Sequence, residues 1–303
     1  MAEKRKFYGM RNDYMFHAVL QKNEEVLRNL LATLLEIDEA EIESCHIENP
    51  IELGKEIEGK ECILDVKLTL NNDKVINIEL QVYKQTYWIN RSLLYWARTY
   101  DNLKSGQDYS MLLPAYHIGI LDFTLFENHP KFMAQYQILD VEDGYLYSDK
   151  LCIRVLDLTQ LEKAKQEPET NKKLLKWASI FKAETLEELE QLASGEEVFE
   201  NMVVTMKKLS EDEKIRMQCE AREDYERSLL TEYNAGKSEG IEQGLQQGIK
   251  QGIASERRNT EKERQRAEKE SQRAEKESQR AEKERQRADA LAAEVERLRA
   301  LLK

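Results

Sequence analysis

The sequence predicts an α/β protein: a mixed sheet flanked by helices over residues 1–160, a helical extension over 161–235, and a long charged C-terminal helix. Three observations carry that prediction. Before residue 160 the apolar residues switch between helical and alternating spacing more than once, which is the pattern of a mixed α/β domain. Residues 165–230 keep a helical period. Beyond Ser255 nearly every residue is Glu, Lys, Arg, Gln, Ser or Ala, a composition that builds no globular core.

From Asn12, "NDYMFHAVLQKNEEVLRNLLATLLEID" places Phe16, Val19, Leu20, Leu27, Leu30, Leu31, Leu34 and Leu35 at helical spacing, enough for one or two amphipathic helices. Asn12 or Asp13 is the predicted N-cap. After the polar stretch around Asn49–Pro50, residues 61–83 read as two strands around a turn. "YWINRSLLYWARTYDNLKSGQDY" then has a helical pattern, predicted to end near Gly106. Three β-rich segments follow: "AYHIGILDF" (115–123), "AQYQILD" (134–140) and "LCIRVLDL" (151–158). Segments such as "NKKLLKWASIFKAETLEELEQLAS" build the helical extension.

Two repeats close the chain. In 236–255 glycine recurs every fourth residue, from Gly236 to Gly252, beside Ile241, Leu245, Ile249 and Ile253. Each glycine costs a helix about 1 kcal/mol relative to alanine. Close helix–helix approach along a small-residue ridge would offset that cost, and a flexible low-complexity segment fits the pattern equally. In 256–303 the heptad "ESQRAEK" sets Ala267, Ala274, Ala281 and Ala288 seven apart, with Val295 and Leu302 continuing the register. Glu270, Glu277 and Glu284 hold the companion position before Leu291 and Leu298. Residues 256–287 therefore read as a solvated helix held by pairs such as Arg273 with Glu277. Residues 288–303 read as a short zipper of coiled-coil type, able to form a homo-oligomer.

The net charge is −12, and residues 256–287 carry 12 basic and 9 acidic side chains. Residues 288–303 balance, so the rest of the chain carries −15 (−12 minus +3). Such a body repels a phosphate backbone over most of its surface, so contact with nucleic acid must be local or bridged by metal ions. Cys45, Cys62, Cys152 and Cys219 are far apart in sequence and read as unpaired thiols of a reducing compartment. No apolar run is long enough to span a membrane and the N-terminus lacks a signal core. A cytoplasmic, soluble protein is expected.

Alternate residues of a strand share a face. Leu64, Val66, Leu68 and Leu70 thus oppose Ile63, Asp65, Lys67 and Thr69, while Ile76, Ile78, Leu80 and Val82 oppose Asn77, Glu79 and Gln81. If both apolar sides meet one core, odd positions pair with odd and even with even. Pairing Val66 with Ile78 needs a three-residue loop at Asn71–Asp73, a five-residue loop or a bulge; a two-residue turn at Asn72–Asp73 puts Asp65 on the wrong face. Asp65 and Glu79 then lie close enough to share a cation such as Mg²⁺, which takes one or two carboxylates and completes its shell with water and phosphate. A hairpin showing its polar side to solvent has the same composition.

An Asp on one strand and "E-x-Q" on the next resemble the P-D…(D/E)-x-K nucleases, with glutamine in the lysine position. "RNDYMFHAVL", "GKECILDVKLTL", "INIELQVY", "INRSLLYWARTYDNLKSGQDY" and "LLPAYHIGILDFTLF" resemble more closely the recombination-promoting nuclease and transposase family of that superfamily. The similarity covers about residues 8–130, and the glycine-every-four segment is similar as well. The resemblance implies a restriction-endonuclease-like sheet and a Mg²⁺-dependent DNA endonuclease, with Mn²⁺ as a substitute ion, linked to recombination or mobile elements. Asp65 and Glu79 would hold the metal, which activates water and neutralises phosphate charge. Gln81 would take the lysine position.

Glutamine carries no charge, so the lysine's electrostatic role passes to another residue. Lys67, on the face of Asp65, is the first candidate; Arg91, whose planar fork suits phosphate, is the second. Each fits an ordinary surface charge as well. Asp13 reads either as an acid behind the metal ligands or as the helix cap. Tyr87, Trp88, Tyr95, Trp96 and Tyr100 offer faces for stacking on a base or for packing a helix on the sheet. His17, His46, His117 and His129 have no ligand spacing. A rival reading is an inherited nuclease fold serving as an interaction module, which the acidic body and the missing lysine favour. Strand joining by a true transposase rests on the family label alone and ranks last.

Overall fold

The computed structural model describes residues 6–51, 53 and 65–301, with side chains as far as residue 297. Cys62 and the predicted start of the first hairpin strand, residues 61–64, lie outside the described residues. The chain divides into two compact units, Met1–Leu230 and Thr231–Lys303.

The N-terminal helical pattern forms two helices, α1 (Asp13–Lys22) and α2 (Glu24–Leu35). Asn23 separates them because it ends the first and caps the second, its side chain accepting a hydrogen bond from Val26 N at 3.2 Å. Asn12, and not Asp13, caps α1 by accepting from Met15 N. Asp13 is the first helical residue, and its carboxylate accepts two hydrogen bonds of 3.0 Å from Arg222 Nε.

Six strands among the described residues form one mixed sheet: β1 (Cys45–Ile47), β2 (Val66–Leu70), β3 (Lys74–Gln81), β4 (Ala115–Leu121), β5 (Met133–Leu139) and β6 (Leu146–Asp157). Their order is β1-β2-β3-β4-β6-β5. β1, β2 and β3 are antiparallel, β3, β4 and β6 are parallel, and β5 closes the far edge antiparallel to β6. Val66 pairs with Ile78 and Leu70 with Lys74, leaving the three-residue loop Asn71–Asp73 that the hydrophobic parity requires. Asn71 (φ 50°) and Asn72 (φ 55°) take the left-handed conformation, which asparagine tolerates better than most residues. The Asn71 side chain also accepts from Glu43 N and Ser44 N and donates to Glu41 O, pinning the loop to the approach of β1.

One face of the sheet, with Val66, Leu68, Leu70, Ile76, Ile78, Ile118 and Ile120, belongs to the main core together with Phe16, Leu30 and Leu34 of the first two helices. Helices α4 (Leu161–Ala164), α5 (Lys172–Lys182), α6 (Leu186–Ala193) and α7 (Glu197–Glu211) follow the sheet. Trp177 and Phe181 of α5, Leu189 of α6, and Phe199 and Met206 of α7 bring three of them into the same core. The opposite face is covered by α3 (Trp88–Tyr100), which crosses between the parallel strands β3 and β4. Trp88, Leu121, Phe123, Ile153 and Val155 form a smaller cluster there.

Three element boundaries differ from the periodicity. α3 stops at Tyr100 instead of near Gly106, because Asn102 turns the chain: its side chain bonds both Leu113 N and Leu113 O at 3.1 Å. β6 begins at Leu146, five residues before the apolar run, as the far end of a hairpin with β5 in which Leu139 pairs with Leu146. β1 has only three residues, too few for alternation to register.

Helix α8 (Glu213–Leu301) runs unbroken through both repeats. In its second-unit part the glycines 236, 240, 244, 248 and 252 meet nothing within 4 Å among the described residues, and Ile241, Leu245, Ile249 and Ile253 are exposed.

Gly119 shows why α3 can lie so close to β4: a Cβ there would sit 2.3 Å from Trp88 Cζ2, inside the buried indole ring. Gly119→Ala is expected to cost about 1–3 kcal/mol of stability, the usual range for overpacking a well-filled core, measured as a shift of the urea midpoint at unchanged slope. Glycine at 106, where an added Cβ meets nothing, has no such packing constraint.

Candidate active site

The register carries Asp65, Lys67, Asn77, Glu79 and Gln81 to one side of the β2–β3 hairpin. This side does not face solvent. Helix α3 packs over it, so Asp65 and Asn77 are buried and Glu79 is only 1 % exposed. The flanking chain fixes Asp65 from outside: Asn49 Nδ2 donates to Asp65 O at 2.7 Å, and Lys67 N donates to Asn49 Oδ1 at 2.8 Å.

Parallel pairing of β3 with β4 sets Asn77 beside His117 and Glu79 beside Gly119. A polar cluster results. Asn77 Nδ2 lies 3.3 Å from Asp65 Oδ2 and 3.2 Å from His117 Nδ1, while His117 Nε2 faces Glu79 Oε2 at 3.4 Å. From α3, the Arg91 guanidinium reaches Glu79 Oε1 at 2.9 Å, donates to Gln85 Oε1 at 2.9 Å and lies over the Tyr95 ring. The approach of Arg91 and His117 to Glu79 is off the line of a hydrogen bond. Among the described residues neither Glu79 oxygen receives one.

Burial, and then the nearby charge of Glu79, push the Asp65 carboxyl up to about 8; the Asn77 donor and Arg91 oppose the rise. The cause is general: two carboxylates in one desolvated place cannot both ionise unless a cation joins them. Asp65 also lines a cleft of about 240 Å³ with Asn49, Lys67, Asn77, Tyr95, Arg98 and Thr99. Two of those residues are cationic. Lys67 is 38 % exposed and pairs with Glu48 at 3.0 Å.

The structure therefore gathers Asp65, Lys67, Glu79 and Arg91 around one hairpin face, and Gln81 follows Glu79 on the same side at the half-buried end of β3. Asp13 belongs to the ion pair with Arg222, yet its charge reaches Asp65 and adds to the upward push on that carboxyl. Of the aromatic set, Trp88 is buried packing, Trp96 stacks on Tyr100 and donates to Ala115 O, and Tyr95 borders the cleft. Asn77, His117, Asn49 and Arg98 were not singled out from sequence. Arg98 had a signal: Arg91, Tyr95 and Arg98 stand at i, i+4 and i+7 and so share one side of a helix.

These residues fit a hard divalent cation. Asp65 is held in its neutral form and both Glu79 oxygens lack hydrogen bonds, so an ion between them would satisfy groups that the protein leaves unsatisfied. No three or more His, Cys, Asp or Glu side chains among the described residues make a metal cage. The fit is thus to an ion that keeps water and phosphate oxygens in its shell, as Mg²⁺ does.

A family model described as PD-(D/E)XK nuclease family transposase matches residues 10–233. No curated protein and no solved structure gives a significant match.

The raised Asp65 carboxyl has a direct consequence for stability. The native state keeps a proton at about 8 that the unfolded chain, with an ordinary carboxyl near about 4, has already lost. This contribution is full below the unfolded value and is lost as pH rises through the native one. In EDTA, the wild type is expected to lose thermal stability between pH 5 and pH 8. Asp65→Asn, which cannot ionise, is expected to flatten that slope and to melt several degrees above wild type at pH 8; equal slopes by calorimetry contradict it.

Proposed function

Given that the chain belongs to the PD-(D/E)XK nuclease family transposases, we propose that it is a Mg²⁺-dependent DNA endonuclease hydrolysing phosphodiester bonds, with Mn²⁺ able to replace Mg²⁺. The observation that carries this reading is the buried pair Asp65 and Glu79 on one sheet face, with Asp65 opening into a cleft rimmed by cations. Both carboxylates would hold the ion, and Asp65 would give up its proton in doing so. When bound, the ion supplies a more acidic water and neutralises charge on the phosphate.

Gln81 orients water or a phosphate oxygen, and the positive charge it lacks comes from elsewhere. Arg91 already balances Glu79. Lys67 and Arg98 face the cleft from the sheet and from α3, where each can contact a backbone phosphate. The strongly acidic remainder of the chain restricts DNA to this patch. The family supports the reading of a role in recombination or in mobile elements, and self-association through α8 would bring two sites to one duplex.

A second reading, a nuclease fold kept as an interaction module, is favoured by the uncharged Gln81 and by the exposed apolar row Ile241, Leu245, Ile249 and Ile253 of α8. One assay separates the two. The full chain with Mg²⁺ is expected to nick supercoiled plasmid, and Asp65→Ala and Glu79→Ala each to bring nicking to background. Nicking that survives both substitutions removes the mechanism, and a wild type inert with both ions leaves the module. Lys67→Ala and Arg98→Ala are expected to weaken DNA binding alike on all sequences. Each should reduce the slope of log affinity against log salt by about 1, read by fluorescence anisotropy.

A further inference from the structure

The buried polar cluster contains two groups to which the metal reading gives no task, Asn77 and His117. Both are buried, and both stand on the same sheet face as the carboxylates. Asn77 Nδ2 is a donor only. It is directed at Asp65 Oδ2 (3.3 Å) and at His117 Nδ1 (3.2 Å), so Nδ1 must accept and the ring hydrogen sits on Nε2. That Nε2 makes no hydrogen bond among the described residues; it faces Glu79 Oε2 at 3.4 Å, off the line of one. Asp65, Asn77, His117 and Glu79 thus form one chain of polar contacts, hydrogen-bonded from Asp65 to His117 and in close approach from His117 to Glu79. The imidazole is held in its plane by Trp88 and Tyr95, with ring centroids 5.9 and 6.3 Å away.

We infer that Asn77 and His117 are positioning residues that hold the Asp65 and Glu79 carboxylates in the separation and rotation a shared divalent ion requires. This rests on the metal reading of the site proposed above. A carboxylate at the end of a glutamate side chain has free torsions to lose on ligating an ion, and an imidazole set against it from the neighbouring strand removes part of that loss beforehand. The tautomer matters because the opposite one would present a lone pair to Glu79 and orient nothing. A histidine serving only as core filler between Trp88 and Tyr95 needs neither nitrogen.

The test uses the full-length protein. Calorimetric titration with Mn²⁺ compares wild type with His117→Phe, which keeps the ring but loses both nitrogens, and with His117→Gln, whose amide restores a donor at the place of Nε2. His117→Phe is expected to weaken Mn²⁺ binding about 10- to 100-fold, the range seen when a partner of a metal ligand is removed. His117→Gln should recover most of it. Asn77→Leu, of similar size, breaks the chain at a second point and should act like His117→Phe, which keeps the test decisive where His117→Phe does not fold. Unchanged Mn²⁺ affinity in the Phe and Leu variants overturns the positioning role alone. A wild type that takes up no Mn²⁺ overturns the metal reading and this role with it. In the metal-free protein, long-range ¹H–¹⁵N spectra of labelled histidine should find His117 as the Nε2–H tautomer, and the Nδ1–H form overturns the chain independently of any metal.

Discussion

Everything distinctive in this fold follows from covering two acids with a helix. A carboxylate on a strand is inexpensive when water reaches it and costly when water does not. Helix α3 separates Glu79 from water, and Asp65 shows only its edge to the cleft, so their charges must be managed by what lies next to them. The chain manages them unequally. Glu79 has the Arg91 guanidinium beside it, and Asp65 keeps a proton to about 8. The result is a buried pair in which one acid is balanced by a guanidinium and the other keeps its proton.

Helix α3 is therefore more than a crossover between parallel strands. Its first turn is seated by Trp88 in the space that Gly119 leaves above β4. That seating sets the height at which Arg91 meets Glu79 and at which Tyr95 and Arg98 border the cleft. A nuclease of this superfamily ordinarily carries its cation on the strand, two residues after the second acid. In the site proposed above that position falls to Gln81, and the cation beside Glu79 is Arg91, on the helix. Moving a charge from strand to helix leaves sheet register and carboxylate parity untouched.

How much of this could be read from residues alone depended on how local each constraint was. The hairpin register was legible because period-two alternation on both strands admits few loop lengths, and Val66 does pair with Ile78. The N-terminal helical stretch, though not its division in two, the strands around 115–121 and 133–139 and the mixed α/β class were legible from spacing, and the restriction-endonuclease-like fold came with the family resemblance. Burial of the hairpin's polar side was not legible: the same Asp, Lys, Asn, Glu and Gln suit a solvated face, and only the covering helix decides. The end of α3 depends on Asn102 meeting Leu113, a contact that no local pattern announces. Asn77, read only as one residue of the polar face, and His117, read as having no ligand spacing, were set aside for the same reason. Forty residues apart in the chain, they become neighbours only through parallel pairing, and neither has ligand spacing in sequence.

That pairing also gives the site a history within each molecule. The hairpin carrying Asp65 and Glu79 closes through a three-residue loop, whereas His117, Gly119 and the seat for Trp88 arrive only when β4 docks with all of α3 looped out between the strands. Short loops close before long ones, and non-local parallel pairing is the slower event. During the interval the two acids are hydrated and ionised, like any pair on an open ribbon. The unusual proton, the guanidinium contact and the unsatisfied oxygens come into being together at the last step. On a ribosome, a chain with this order of assembly buries the two acids only after the sheet around them is complete, so partly made molecules carry the acids without the environment that surrounds them in the finished fold.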